Sequence, residues 1–492
     1  MLRRIFLLAT FLFIQACSVI TSYPPKINKS IEALKQNIPS ELSNSAVSSI
    51  SRSKYIGDSI LYKMELGRIY QVTNDIDKSI DSFDDAIDEV KNDEERAIVS
   101  AKNLLEQTSS ILVNDNVIEY TGKPFEHTML HTFQALNYLF KNNLEDATPE
   151  VRLAGDNQVR ILEENQKKID EAKELNENQK QSLYQANKII KEHYAGDLNE
   201  TAGKVKNSFQ NAYAFYVAGL IYELHGEKQN AYLDYKNALE IKSNNVYFQR
   251  DAIRLAFELG EKRDLNDYRR KFPSSYSFVQ RTYKSQSAKL LILIEDDFVA
   301  QKEEVKIPII TDTKGGLVTV GFPTFKTKYK LPSTFRVLKN KMGLGYASLA
   351  CDLNPMSYFQ FKQELPGILT REIIRIIERA VVHELAKGRG NNNNGQQSNG
   401  EAIAQAVFMT WDVVNMTMDL FAAKVDLRGW YTLPRTMHVF KSYISNGKQT
   451  ITIKNNNDGK SVNVDINATK GSLNIIRVIK AGSSYYTKNI TY

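Results

Sequence analysis

The chain has little of what most reaction chemistries need. It carries two cysteines, Cys17 and Cys351, and six histidines in 492 residues. Two cysteines cannot build a disulfide framework, and if Cys17 is lipidated no intrachain disulfide forms at all. Cys351 lies in the apolar run ASLACDL with no base beside it, and reads as a small buried strand residue. The scattered histidines offer little for acid–base work. No phosphate-cradling Gly-rich loop, Gly-x-Ser-x-Gly elbow or dinucleotide fingerprint occurs, so no catalytic residue and no cofactor is expected. There is no long Lys/Arg block either. The 64 basic and 57 acidic residues give a net charge of +7; setting aside Arg3 and Arg4 leaves 62 against 57, or +5. A charge so mild and dispersed argues against a nucleic-acid partner.

What is present begins at the N-terminus. In MLRRIFLLATFLFIQAC two arginines precede an apolar run from Ile5 to Ile14, too short to span a bilayer. Residues 1–16 read as a signal peptide. The end, Ile14–Gln15–Ala16–Cys17, resembles a bacterial lipobox, which implies cleavage before Cys17 and lipid (palmitate among its chains) on that residue. Gln15 departs from the pattern. Ser18 follows in place of an Asp, which favours the periplasmic face of the outer membrane. Residues 17–50 read as the lipidated tether and a first helix.

Residues 212–245 read as two short helices joined at His225–Gly226–Glu227. With Ala212 as position 1, Phe215 stands at 4, Ala218–Gly219 at 7 and 8, Tyr222 at 11, Ala231 at 20, Tyr235 at 24 and Ala238 at 27. Small residues let helix backbones approach, and the neighbouring aromatics fill the space beside them. The spacing resembles a tetratricopeptide (TPR) repeat. Related spacings recur at 55–93 (Leu66, Gly67, Tyr70, Ser79, Phe83, Ala86) and at 128–161 (Ala135, Tyr138, Ala147, Val151, Ala154). A degenerate unit fits 94–127. A shortened copy at 249–272 (Leu255, Ala256, Leu259, Tyr268) closes the array before Pro273. The period breaks at 157–193, a polar insertion rich in Glu, Lys, Gln and Asn that reads as a solvated helix or helix pair. The helical domain is therefore placed at 51–285.

Beyond residue 286 the texture becomes strand-like, from KLLILIED through two runs flanking Lys314–Gly315–Gly316 to candidates at 335–338 and 346–353. Two helical runs follow, 368–386 and 401–424, separated by the low-complexity loop 388–400. Strands return as TITIK, SVNVDIN and SLNIIRVIK, with turns at Asn446–Gly447 and Asp458–Gly459. The expected fold class is α+β: a TPR-like helical array, then an antiparallel β-sandwich-like domain (286–492) with the two helices packed on it.

Few residues suggest chemistry. His127 and His131 are four apart on one helix face, a weak metal candidate, with packing or groove lining the blander alternative. His383–Glu384 opens like a zinc-protease helix but lacks the second histidine. Ser51-x-x-Lys54 and Ser445-x-x-Lys448 match a permissive pattern without its companion motifs. The pairs Asp84–Asp85 and Asp296–Asp297 read as solvated surface. Aromatics not used in repeat packing would line a concave groove for a protein partner.

The stretches 122–139, 207–241, 303–310 and 424–440 together resemble a little-characterised family of bacterial TPR-containing envelope lipoproteins. The resemblance implies an accessory role in cell-envelope biogenesis or maintenance, with envelope proteins, the peptidoglycan-synthesis machinery among them, as partners of the helical array. The alternatives are an envelope enzyme with its site in the C-terminal domain and a ligand carrier with a cavity between sheet and helices.

Overall fold

Small residues at the helix crossings set the spacing of the first half. The computed structural model describes residues 23–36, 47–48, 50, 58–101, 120–171, 184, 187–194, 196–310, 317–325, 329–369 and 425–492. The leader, Cys17, Ser51–Lys54, His383–Glu384, the loop 388–400 and almost all of the expected helices 368–386 and 401–424 lie outside them. Helix α1 (Tyr23–Gln36) is amphipathic and buries Tyr23, Ile27, Ile31 and Leu34. Paired helices follow: α2 (Ser59–Val72) with α3 (Ile76–Ala101), and α4 (Pro124–Phe140) with α5 (Leu144–Glu171). After a π-helical turn at Ile190–Tyr194 and the short α6 (Asp197–Ala202) come α7 (Ala212–His225) with α8 (Lys228–Ile241), then α9 (Val246–Leu259) with α10 (Lys262–Lys271). Helices α7 and α9 begin at residues 212 and 246, 34 apart. At Gly67 an added Cβ would overlap the Phe83 ring, and at Gly219 it would stand 2.6 Å from the Tyr235 ring. Each glycine therefore permits the close crossing within its pair.

The array does not stop at Pro273. Helix α11 (Pro273–Thr282) starts on that proline, which sits in the first turn, where its missing N–H costs nothing. The polar insertion is helical where described, since α5 extends to Glu171. At its far end Ile189, Ile190 and Tyr194 pack into a second, smaller core with Phe322, Phe325, Phe361 and Leu365. That end is docked through one apolar face, while Tyr184, Asn187, Lys188, Lys191 and Glu192 stay exposed, as a largely solvated helix predicts.

The described strands form three sheets. A five-stranded sheet has the order β11-β10-β1-β7-β6, from β11 (Ser484–Thr491), β10 (Leu473–Ala481), β1 (Ala288–Phe298), β7 (Pro434–Ile444) and β6 (Ser348–Asp352). A four-stranded sheet has the order β5-β4-β8-β9, from β5 (Met342–Tyr346), β4 (Phe335–Lys339), β8 (Gly447–Asn455) and β9 (Ser461–Ala468). Strands β2 (Lys302–Ile310) and β3 (Leu317–Phe325) make a separate hairpin. Pairing is antiparallel except at the centre of the larger sheet, where β1 and β10 run parallel. Helix α12 (353–369) follows β6 directly, where a strand had been expected to run to 353 and helix to begin only at 368. Its start is held by the Asp352 carboxylate, which accepts from the Asn354 N–H at 3.2 Å.

Burial tells the layers apart. Strand β9 alternates buried and exposed, the mark of a sheet with one wet face. Strands β1 and β10 are buried almost throughout. The larger sheet is the middle layer, with the helical array on one side and the smaller sheet on the other. Neighbouring residues on β1 show both sides. Glu295 bonds Arg68 of α2, whereas Asp296 faces Arg435 and Lys480. Asp296, read from sequence as surface, is therefore buried, because strand alternation turns it into the interior. Asp84 is half-buried under Gln134, and only Asp85 is exposed.

Candidate functional site

The first helix of each pair turns toward the sheet, so the inner face of the array is where a bound segment is expected. A segment does lie there, and it belongs to the chain itself. The loop 425–433 enters between α2 and α4. Trp430, fully buried, packs edge-on between Phe83 and Phe133, each ring centroid 6.0 Å away. Its backbone N–H donates to Glu126 at 2.9 Å and its indole N–H to Thr432 Oγ1 at 3.1 Å.

Below the tryptophan sits an ion triad. Glu295 accepts from Arg477 at 2.7 Å and from Arg68, and all three side chains are buried. Gln71 receives from Arg68 at 2.6 Å and Arg477 at 2.8 Å, and passes its own N–H groups to Phe133 O and Asn137. Burial pushes the Glu295 carboxyl up, but Arg477 and Arg68 outweigh it and hold it below the usual carboxylate range. Arg68 also lies 4.3 Å from the Phe133 ring centroid. Such a triad ties array to sheet through Glu295, whose removal would strand two guanidiniums.

Glu65 makes the third contact. It accepts from the Tyr431 N–H at 2.7 Å, from the Thr432 N–H at 3.2 Å, and from the hydroxyls of Thr432 and Tyr23. Burial pushes its pKa up to about 7, against the pull of those donors. Tyr23 has one proton and two acceptors, Glu65 and the Gly429 carbonyl at 2.5 Å. A protonated Glu65 resolves that conflict, donating to Tyr23 while Tyr23 donates to Gly429.

Charged groups also converge beside this loop, around Asp58, Glu126, Glu364 and Asp426. They are committed to one another. Arg428 pairs with Asp58 and with Asp426, Lys123 with Glu364 at 2.9 Å, and Glu126 takes the Tyr120 hydroxyl at 2.6 Å. Lys302 donates to Arg428 O at 3.0 Å, and burial with Lys123 nearby pulls its pKa down. The adjoining cavity is about 40 Å³, room for a few waters or one small ion, and the charges beside it pair with one another.

The open space is elsewhere. A cleft of about 690 Å³ lies between α5, the 204–215 segment, α7, α8 and the β6–α12 corner. Phe215, Ile241 and Met356 are among its apolar lining, and Arg152, Asp234 and Lys242 among its charged groups. Burial pushes Asp234 up to about 7 and Asp352 up to about 6. The cleft occurs where the 34-residue spacing fails between α5 and α7. Val159, which lines it, is 58% exposed, so an apolar side chain faces its mouth unpartnered by the described residues.

Residues singled out by repeat position fall as follows. Gly67, Ala86, Ala135, Ala154, Gly219, Tyr222 and Ala238 are buried, while Tyr70 and Tyr138 are partly exposed. Tyr138 reaches toward Asp84. His127 and His131 part ways: one bonds the Thr121 carbonyl at 2.7 Å, the other Glu150 at 2.7 Å. Among the described residues no group of three or more His, Cys, Asp or Glu side chains stands close enough to hold a metal. Cys351 is buried against Met356, and burial pushes its thiol up to about 12. Glu65, Arg68, Glu295, Trp430 and Arg477 were not anticipated. Their signal was a lone charge or tryptophan inside an apolar run, as in SILYKMELGRIYQV, LLILIED and SLNIIRVIK.

No family model matches the sequence, and no curated protein matches it. Among solved structures the chain is similar to the TPR2AB-domain:pHSP90-complex of yeast Sti1, at 12% identity and a TM-score of 0.19, over 53% of this chain and 96% of that one. A score that low carries no argument, and the paired-helix description rests on the geometry above.

Proposed function

We propose that the chain is an outer-membrane lipoprotein, anchored through Cys17 on the periplasmic face, that serves as a scaffold for a protein partner in envelope biogenesis or maintenance. One observation carries the scaffold reading: the inner face of the array is filled by residues 425–433 and the sheet, yet a cleft of about 690 Å³ stands open beside it. A lining that mixes apolar side chains such as Phe215, Ile241 and Met356 with charged ones such as Arg152, Asp234 and Lys242 suits a partner's protein segment. The charged convergence near Arg428 is internally paired, which favours a structural role there over a catalytic one. The anchor reading rests on the sequence around Cys17, and the envelope setting on the resemblance of the four stretches. No described helix is long and apolar enough to cross a membrane.

Photocrosslinking in intact cells tests this. A crosslinker at Val159 is expected to capture a defined protein, and one at buried Trp430 to capture none. Val159→Glu should abolish the capture without unfolding the chain. If no partner is recovered while purified protein turns over a wall or lipid substrate, the scaffold reading fails. Cys17→Ser should release the chain from the membrane fraction, and continued membrane association would overturn the anchor.

A further inference from the structure

At the far end of the inner face, β1, β7, α9 and α11 enclose a cavity of about 40 Å³, room for one oxyanion and little more. Four cations line it, Arg250, Arg254, Lys289 and Lys441, against one carboxylate, Asp251. Asp251 is fully engaged, by the Tyr216 hydroxyl at 2.9 Å, Lys441 at 2.6 Å and Arg254 at 3.2 Å. Arg254 turns its other donors to Glu223 at 2.6 Å and Glu258 at 2.9 Å, so those acids are used outside the cavity.

Arg250 and Lys289 are left over. The Arg250 guanidinium lies 4.0 Å from the Phe278 ring centroid, and its Nε is buried with no hydrogen-bond partner among the described residues. Lys289 makes no ion pair among those residues, and burial together with Arg254 and Lys441 pulls its pKa down. A buried guanidinium nitrogen without a hydrogen bond costs stability, and a half-buried ammonium beside the same void adds positive charge that no ion pair among those residues neutralises. A bound oxyanion removes that cost. Guanidinium and ammonium donors together suit phosphate.

We propose that this cavity is a phosphate-binding site, with Arg250, Lys289 and Lys441 as its donors. Tyr247, Phe278 and Tyr443 form aromatic walls, which suit a phosphate carried on a larger, partly apolar molecule. A soluble phosphate ester and a lipid headgroup share this chemistry.

The test uses the full chain with Cys17→Ser, so that no lipid of its own contributes. Inorganic phosphate should raise Tm above sodium chloride at matched ionic strength, and calorimetric titration should show one site. Lys289→Gln, and Arg250→Gln with Lys289→Gln, should each weaken phosphate binding about tenfold or more, with unchanged circular dichroism. Flotation with phosphatidylglycerol vesicles, against phosphatidylcholine, separates the sources. Phosphate-competed binding to the anionic vesicles assigns a headgroup; phosphate binding without flotation assigns a soluble ester. Equal behaviour in phosphate and chloride, or equal phosphate binding by wild type and both variants, would overturn the site.

Discussion

The two ends of the array's inner face are built from the same materials and differ in their accounting of charge. At the α2–α4 end the buried polar groups are tied to one another: Glu295 lies between Arg68 and Arg477, whose other donors go to Gln71, and Glu65 bonds Tyr23, Tyr431 and Thr432. At the α9–α11 end, Arg250 and Lys289 face a void without an acid of their own. A closed charge network fixes a docking geometry, whereas unmatched cations beside a cavity leave a place for something else. The first end is read as architecture and the second as a site.

Four changes probe that contrast. The largest effect is expected for Glu295→Ala, which strands Arg68 and Arg477 in the interior; urea unfolding should show a loss of about 3–5 kcal/mol. A loss below about 1 kcal/mol would mean that the network does not hold the two layers together. Next comes the protonation of Glu65. Its folded pKa, about 7, stands above the ordinary glutamate value of 4.5, so its contribution is fully present below pH 4.5 and is lost as pH rises through 7. Glu65→Gln keeps the protonated pattern, so the variant should gain on wild type by about 1–3 kcal/mol between those pH values. A pH-independent difference would show that the four donors hold Glu65 ionised. Gly67→Ala forces a methyl into Phe83 and should cost about 1–3 kcal/mol, read as a lower denaturant midpoint with unchanged slope. The smallest effect belongs to the other end. Without phosphate, Lys289→Met should change stability by no more than about 0.5 kcal/mol, on the favourable side, because no partner is lost. A large loss there would erase the distinction between the two ends.

How much of this was legible depended on whether the information was local. Gly67 with Phe83 and Gly219 with Tyr235 follow from spacing within one hairpin, and a 34-residue period carries it. The alternation in SVNVDIN likewise marks β9 as half-wet. The parallel pairing of β1 with β10 has no local signature, because register between distant strands depends on the whole sheet. Helix α12 was readable in principle, from Asp352 as a cap and Pro355 in the first turn, but the apolar run before it dominated. Glu65, Arg68 and Arg477 resemble solvent-facing charges when taken singly. Only the arrangement that brings α2 onto β1 and β10 makes them partners, and only the same arrangement shows the groove filled by Trp430.

The parallel pair at the centre of the larger sheet also sets an order of assembly. Strand β1 lies beside β10, so Lys289 cannot meet Leu473 until the chain has been made through β10. Until then β1, β7 and the tryptophan plug are present, but the larger sheet lacks β10 and β11, and Glu295 lacks Arg477. Apolar surface that waits for a distant segment invites aggregation or a chaperone. During synthesis the vulnerable form of this protein is therefore the chain made through β7, and β10 and β11 act as the cover that ends the exposure.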